Sequence, residues 1–146
     1  MKNIQLKIVT PEKIIFSDKV NQVSLSTTTG QITILPNHIP LISQLTAGEI
    51  SVKYGSNEED LMAISSGFVE VLPNQVIVLA DTAEKAVDID EAKAEEARRK
   101  AEEILKTKVV DDKEFALLTV RIEKELARLK VARKYKKRGV RTGINN

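Results

Sequence analysis

The sequence predicts an all-β N-terminal domain, a sandwich or flattened barrel of eight to ten short strands, followed by a C-terminal antiparallel two-helix hairpin. Three observations carry this prediction. Turn residues punctuate runs rich in Val, Ile and Thr at short, even spacing as far as about Asp81. From about Asp90 the apolar residues recur every three or four positions instead. The charge changes sign at the same place. Residues 1–90 hold 6 Lys/Arg against 11 Asp/Glu, a net of −5, whereas residues 91–146 hold 17 against 10, a net of +7. A switch of that size suggests two parts with different partners.

In the first part, Ile4–Val9 precedes Pro11, Lys13–Phe16 precedes Ser17-Asp18, and Val20–Thr27 runs into Thr29-Gly30. Ile32–Leu35 stops at Pro36-Asn37, Glu49–Tyr54 stops at Gly55-Ser56-Asn57, and Leu61–Ser65 ends before Gly67. Phe68–Leu72 and Gln75–Leu79, joined by Pro73-Asn74, read as a two-residue hairpin. The run Val76-Ile77-Val78-Leu79 does not alternate, which predicts a strand covered on both faces.

In the second part, Asp88 with Glu91 and Asp111 with Glu114 have the spacing of capping boxes that open two helices. The first helix offers Ala94, Ala97, Ala101 and Ile104/Leu105 on one stripe; the second offers Phe115, Leu118, Ile122, Leu126 and Leu129. A connection of about six residues makes the two helices antiparallel neighbours. A stripe made mainly of Ala buries little area, so the helices hold each other weakly. Such a hairpin suits either a movable element or a fixed appendage, and periodicity does not choose between them. The expected domains are residues 1–86, 87–137 and a disordered basic tail at 138–146.

Signs of catalysis are thin. There is no Cys and one histidine, His38, lying between Pro36 and Pro40. That excludes disulfides, thiolate metal sites and a Cys nucleophile, and leaves His38 without a second imidazole for a metal. No Gly-x-Ser-x-Gly elbow or phosphate-binding P-loop occurs among the six glycines. The chain is read as non-enzymatic, with no metal. It also lacks a signal-peptide apolar stretch and any run of about 18 apolar residues. The expectation is a chain that stays in the compartment where it is made and does not itself insert into a membrane. The conspicuous feature is the stretch from Arg121 to Arg141, with ten Lys/Arg against Glu123 and Glu125. Such a stripe suits phosphates, anionic lipid, an acidic protein surface or plain solvent. One alternative is therefore a stand-alone nucleic-acid-binding protein, although Tyr135 is the only aromatic there for base stacking.

Three blocks resemble the ε chains of F-type ATP synthases. Gly30–Leu45 reads GQITILPNHIPLISQL, Ser66–Glu84 reads SGFVEVLPNQVIVLADTAE, and Ile89–Glu103 reads IDEAKAEEARRKAEE, in the order of that family. The similarity spans residues 1–135. The resemblance implies a ten-stranded β-sandwich at the foot of a central stalk, against the γ subunit and the c-ring, and a hairpin that couples rotation and restrains ATP hydrolysis. It places Gln31 and His38 in the rotor-contacting segment, with His38 as an interface residue. It makes the complex peripheral at the cytoplasmic face of the cell membrane, and it leaves no place for nucleic acid. It also implies that the hairpin can extend along γ, toward the α and catalytic β subunits. There Arg121, Lys124, Arg128, Arg133 and Lys134 would meet an acidic stretch.

Some ε chains of this family bind ATP on the folded-down hairpin, as a regulatory ligand and not a required cofactor. The resemblance puts Glu84, Ile89, Asp90, Lys93, Ala94, Lys100, Lys124 and Arg128 at the ligand positions. Lys93 stands where the motif has Arg. A Lys ammonium is a point charge and does not reproduce a planar bidentate fork, which implies reduced affinity or none.

Overall fold

The computed structural model describes residues 2–55 and 58–142, the side chains of 139–142 excepted. The expected turn at Ser56-Asn57 and the tail end at 143–146 lie outside the described residues.

Among the described residues, nine strands precede two α-helices: β1 (Ile4–Val9), β2 (Ile14–Val20), β3 (Gln22–Thr27), β4 (Gly30–Ile34), β5 (Leu41–Tyr54), β6 (Glu58–Ile64), β7 (Gly67–Leu72), β8 (Gln75–Ala80), β9 (Ala83–Lys85), α1 (Glu91–Thr107) and α2 (Asp112–Thr142). β5 carries the architecture. Its Leu41–Leu45 half pairs with β7, and its Gly48–Tyr54 half pairs with β6. β3 runs along the other edge of the second half, and its register jumps from Ile50 to Leu45 opposite Leu25 and Thr27. The strand therefore bends across Thr46–Glu49 and belongs to both layers of the sandwich. One layer reads β2-β1-β8-β7-β5, the other β9-β6-β5-β3-β4. Counting β5 in each layer gives ten strand segments, which reconciles nine strands with the ten-stranded expectation.

Alternation fills the space between the layers. Ile4, Leu6 and Ile8 of β1 point inward with Val69, Val71, Val76 and Val78, and meet Leu25, Ile34, Ile50 and Met62 of the other layer. Each is fully buried. Every member of this core lies between Ile4 and Ala83, so the sandwich closes its core without the helices.

Several boundaries differ from the sequence reading. β2 runs through Ser17-Asp18 without turning, and the break falls at Asn21 instead. The Asn21 amide donates to the Lys53 carbonyl (2.8 Å) and its side-chain oxygen accepts from the Gly55 amide (2.8 Å), which lets a single polar residue turn the chain. The β7–β8 hairpin closes on Pro73-Asn74 as expected, with Leu72 opposite Gln75. β8, however, is covered on one face only. Val76, Val78 and Ala80 are buried, while Leu79 is 56% exposed.

The first helix is capped by Asp90, whose carboxylate accepts the Lys93 amide at 3.1 Å. Asp88 instead ends a short 3₁₀ turn, Ala86–Asp88. Asp111 does cap α2, accepting from the Glu114 amide at 2.7 Å. α2 continues to Thr142, so the segment from 138, expected to be a disordered tail, is helical as far as the description reaches. Among the described residues, no helix is long and apolar enough to cross a membrane.

Candidate functional site

α2 presents two faces, because it lies between α1 and the sandwich. α1 and α2 pack on each other, with Leu118 and Leu129 of α2 and Ala94 and Ala101 of α1 buried. Toward the sandwich, Val131 joins Leu61, Ala63, Ala86 and Ile89 in a small apolar cluster separate from the main core. Phe115 and Leu126, expected in the apolar stripe, are instead about half exposed, at 55% and 47%.

Ion pairs surround that small cluster. Arg128 donates two hydrogen bonds to Glu84 on β9 (2.9 and 3.3 Å) and one to Glu125 (2.8 Å), whose side chain is almost wholly buried. Burial opposes charge on Arg128, but these two carboxylates outweigh it and raise its pKa further. Lys134 reaches Glu49 on β5 at 2.6 Å, and Arg138 pairs with Glu59 on β6, which also accepts from Ser51. Partial burial works against the Glu59 charge; Ser51 and Arg138 together prevail and hold its carboxyl below the usual range. On the other face, Glu91 of α1 accepts from Lys136 (2.6 Å) and Arg133 (3.1 Å), which likewise hold its carboxyl low. Arg133 also approaches Glu95 at 3.5 Å.

Of the residues expected at a regulatory ATP site, the structure brings together three. Glu84, Lys124 and Arg128 line one cleft of about 340 Å³ with Glu12 and Lys13. The other five do not line that cleft. Asp90 caps its helix, Ala94 is buried, Ile89 packs on the small cluster, Lys93 is exposed, and Lys100 pairs with Glu96 at 3.1 Å. Within the expected inhibitory set, Arg121 is exposed, while Arg128, Arg133 and Lys134 are engaged with carboxylates of their own chain.

Gln31 lies near the start of β4 and lines a cleft against α2 with Glu49, Lys130 and Lys134, whereas His38 lies in the loop beyond the strand's other end. His38 sits in a loop shaped by Asn37, whose φ of +66° is a left-handed conformation that Asn tolerates. The Asn37 amide donates to the Pro73 carbonyl at 2.8 Å, and His38 Nδ1 lies 2.7 Å from the Ile39 carbonyl. Around that loop the apolar side chains point outward: Leu35, Ile39 and Ile42 are 53%, 75% and 73% exposed. Register extends this surface across the outer face of the first layer. Ile42 stands opposite Glu70, and Phe68, itself 55% exposed, stands beside Leu79. The exposed apolar side chains of this face are interleaved with the exposed Gln44 and Glu70.

Comparison with known proteins decides the family. Residues 3–86 match the family described as ATP synthase, Delta/Epsilon chain, beta-sandwich domain, and residues 88–133 match its long alpha-helix domain. The chain belongs to the ATP synthase delta/epsilon family. Among its relatives, the ATP synthase epsilon chain of Dehalococcoides mccartyi is 42% identical over 137 residues, covering 94% of this chain and 97% of that one. The ATP synthase epsilon chain of Chloroflexus aggregans is 43% identical over 133 residues, covering 91% and 94%. A chain in the Euglena gracilis mitochondrial ATP synthase structure (OSCP/F1/c-ring, rotational state 1) shares the fold with a TM-score of 0.75 at 22% identity, covering 87% of this chain and 79% of that one. One in the central stalk/c-ring structure of the Tetrahymena thermophila mitochondrial ATP synthase gives 0.65 at 12% identity, covering 90% and 99%.

For this delta/epsilon family member, sequence reasoning missed the outer apolar face and the acidic partners of α2. The signal for the first was present in the run Val76–Leu79, whose failure to alternate marks an uncovered apolar face and not a second covered one. The acidic partners, Glu49, Glu59 and Glu84, carry no local signal, since only the fold sets them opposite α2.

Proposed function

We propose that this chain is a non-catalytic central-stalk subunit of a rotary ATP synthase. Its sandwich grips γ and the c-ring, and its hairpin restrains ATP hydrolysis when it extends toward the α and β subunits. One observation carries the reading: a sandwich with a complete core of its own bears a cationic hairpin fixed through a five-residue apolar cluster and a ring of ion pairs. A platform and a detachable arm are what coupling plus restraint require. The outer face around Ile42, Phe68 and Leu79 and the loop holding His38 supply the grip on the rotor. Basic residues engaged with carboxylates of their own chain weigh against a nucleic-acid role.

The test is hydrolysis by the assembled enzyme carrying Arg121, Lys124, Arg128, Arg133 and Lys134 all changed to Glu. Exposed pairs contribute about 0–1 kcal/mol each, so loss of five should raise hydrolysis several-fold. Unchanged hydrolysis would place the brake outside this helix.

Regulatory ATP is a second part of the reading, favoured by the convergence of Glu84, Lys124 and Arg128 on one cleft. Glu84 and Glu125 already take three of the five N–H donors of Arg128, so a phosphate competes with two carboxylates for the same guanidinium. ATP is therefore a weak ligand that stabilises the compact hairpin by mass action. Calorimetric titration of the subunit with Mg-free ATP should give heat that disappears in Arg128→Ala; no heat in the native chain removes ATP from the account.

A further inference from the structure

Two of the cations that α2 would offer to an outside partner, Arg128 and Lys134, are matched by carboxylates of sandwich strands, and Arg138 beyond them is matched by a third. Arg128 meets Glu84 on β9, Lys134 meets Glu49 on β5, and Arg138 meets Glu59 on β6. With Val131, an apolar residue packed on the sandwich, these positions follow the helix at intervals of three, three and four residues and so share a face. The three carboxylate side chains are only 32%, 15% and 20% exposed, so salt screens them less than open surface charges. The apolar part of the dock is slight, Val131 against Leu61, Ala63, Ala86 and Ile89.

We propose that Glu49, Glu59 and Glu84 form an acidic docking surface on the sandwich that holds α2 down and competes with any external acidic surface for the same cations. The competition half of this rests on the inhibitory reading above; the docking half does not. A helix cannot present Arg128 and Lys134 to two sets of carboxylates at once, so neutralising the inner set shifts the hairpin outward without touching the outward contact. The sandwich thereby sets the threshold at which the arm is released. The device is self-contained and requires no bound ligand.

The chain has no cysteine, so spin labels can be placed at will. With labels on Lys53→Cys, which stands opposite Glu59 on the docking side, and Lys137→Cys, both exposed positions, pulsed electron resonance should show one short distance in the native background. Glu49→Gln with Glu59→Gln should raise the ratio of open to closed hairpin about tenfold, and Glu49→Lys combined with Lys134→Glu should restore the short distance. An unchanged distance in the double Gln variant, with the sandwich folded by circular dichroism, would overturn the proposal. The same double Gln variant in the assembled enzyme should hydrolyse ATP several-fold more slowly. A lengthened distance with unaltered hydrolysis would leave the docking surface standing and sink the inhibitory reading instead.

Discussion

Gly67 shows how a single position constrains the sandwich. It pairs with Leu45 on one side and Ala80 on the other, at a φ of +150°. A Cβ there would lie 2.0 Å from the Leu79 carbonyl oxygen, a backbone atom that cannot swing aside. Gly67→Ala therefore has to force β7 from β8, at a cost of about 2–4 kcal/mol. A lower midpoint in urea unfolding should report it; an unchanged midpoint would mean that the two strands separate there without loss. Residue-scale features divide into those with and without a local sequence signal. Asp111, three residues before Glu114, was recognisable as a cap, because capping is a contact between near neighbours. The cap of α1 was placed two residues early, at Asp88. Asp88 and Asp90 both precede the helix, and only the 3₁₀ turn at Ala86–Asp88 decides between them.

At the scale of elements, the docking of α2 should depend on pH. Glu91 faces Lys136 and Arg133 of α2, and Glu59 faces Arg138 of α2 together with Ser51 and Lys53 of β5. Both carboxyls are held below the ordinary glutamate value of about 4.3. A group depressed by docking adds stability that is complete above its ordinary value and drains away as pH falls through the depressed one. The labelled hairpin should therefore stay closed from neutral pH down to about 5 and open progressively below about 4. A chain carrying Glu59→Gln and Glu91→Gln should lose most of that dependence. If the two profiles coincide, other carboxylates govern docking. The helices themselves were legible from periodicity, as was their antiparallel order. Missing from that reading was the second face of α2, where Val131, Lys134 and Arg138 point at the sandwich, because a helix's own period shows which residues share a face and not what lies opposite.

Over the whole molecule, the division into a β part and a helical part was written in the sequence three times: in turn spacing, in apolar period and in charge. These are local properties, averaged over many residues, and they survive without knowledge of contacts. Family membership was legible for a related reason, since three blocks in register stand out in the linear chain. What only the tertiary structure decided is pairing across distance. The bend of β5 that joins two layers, the outward turn of Ile42, Phe68 and Leu79, and the matching of Arg128, Lys134 and Arg138 with Glu84, Glu49 and Glu59 each link segments far apart in sequence. Such contacts depend on the register of strands and the angle at which α2 crosses them, and neither is encoded within any one segment. The sequence by itself determined that a cationic helical hairpin follows a β-sandwich; the fold determined what that hairpin is held by.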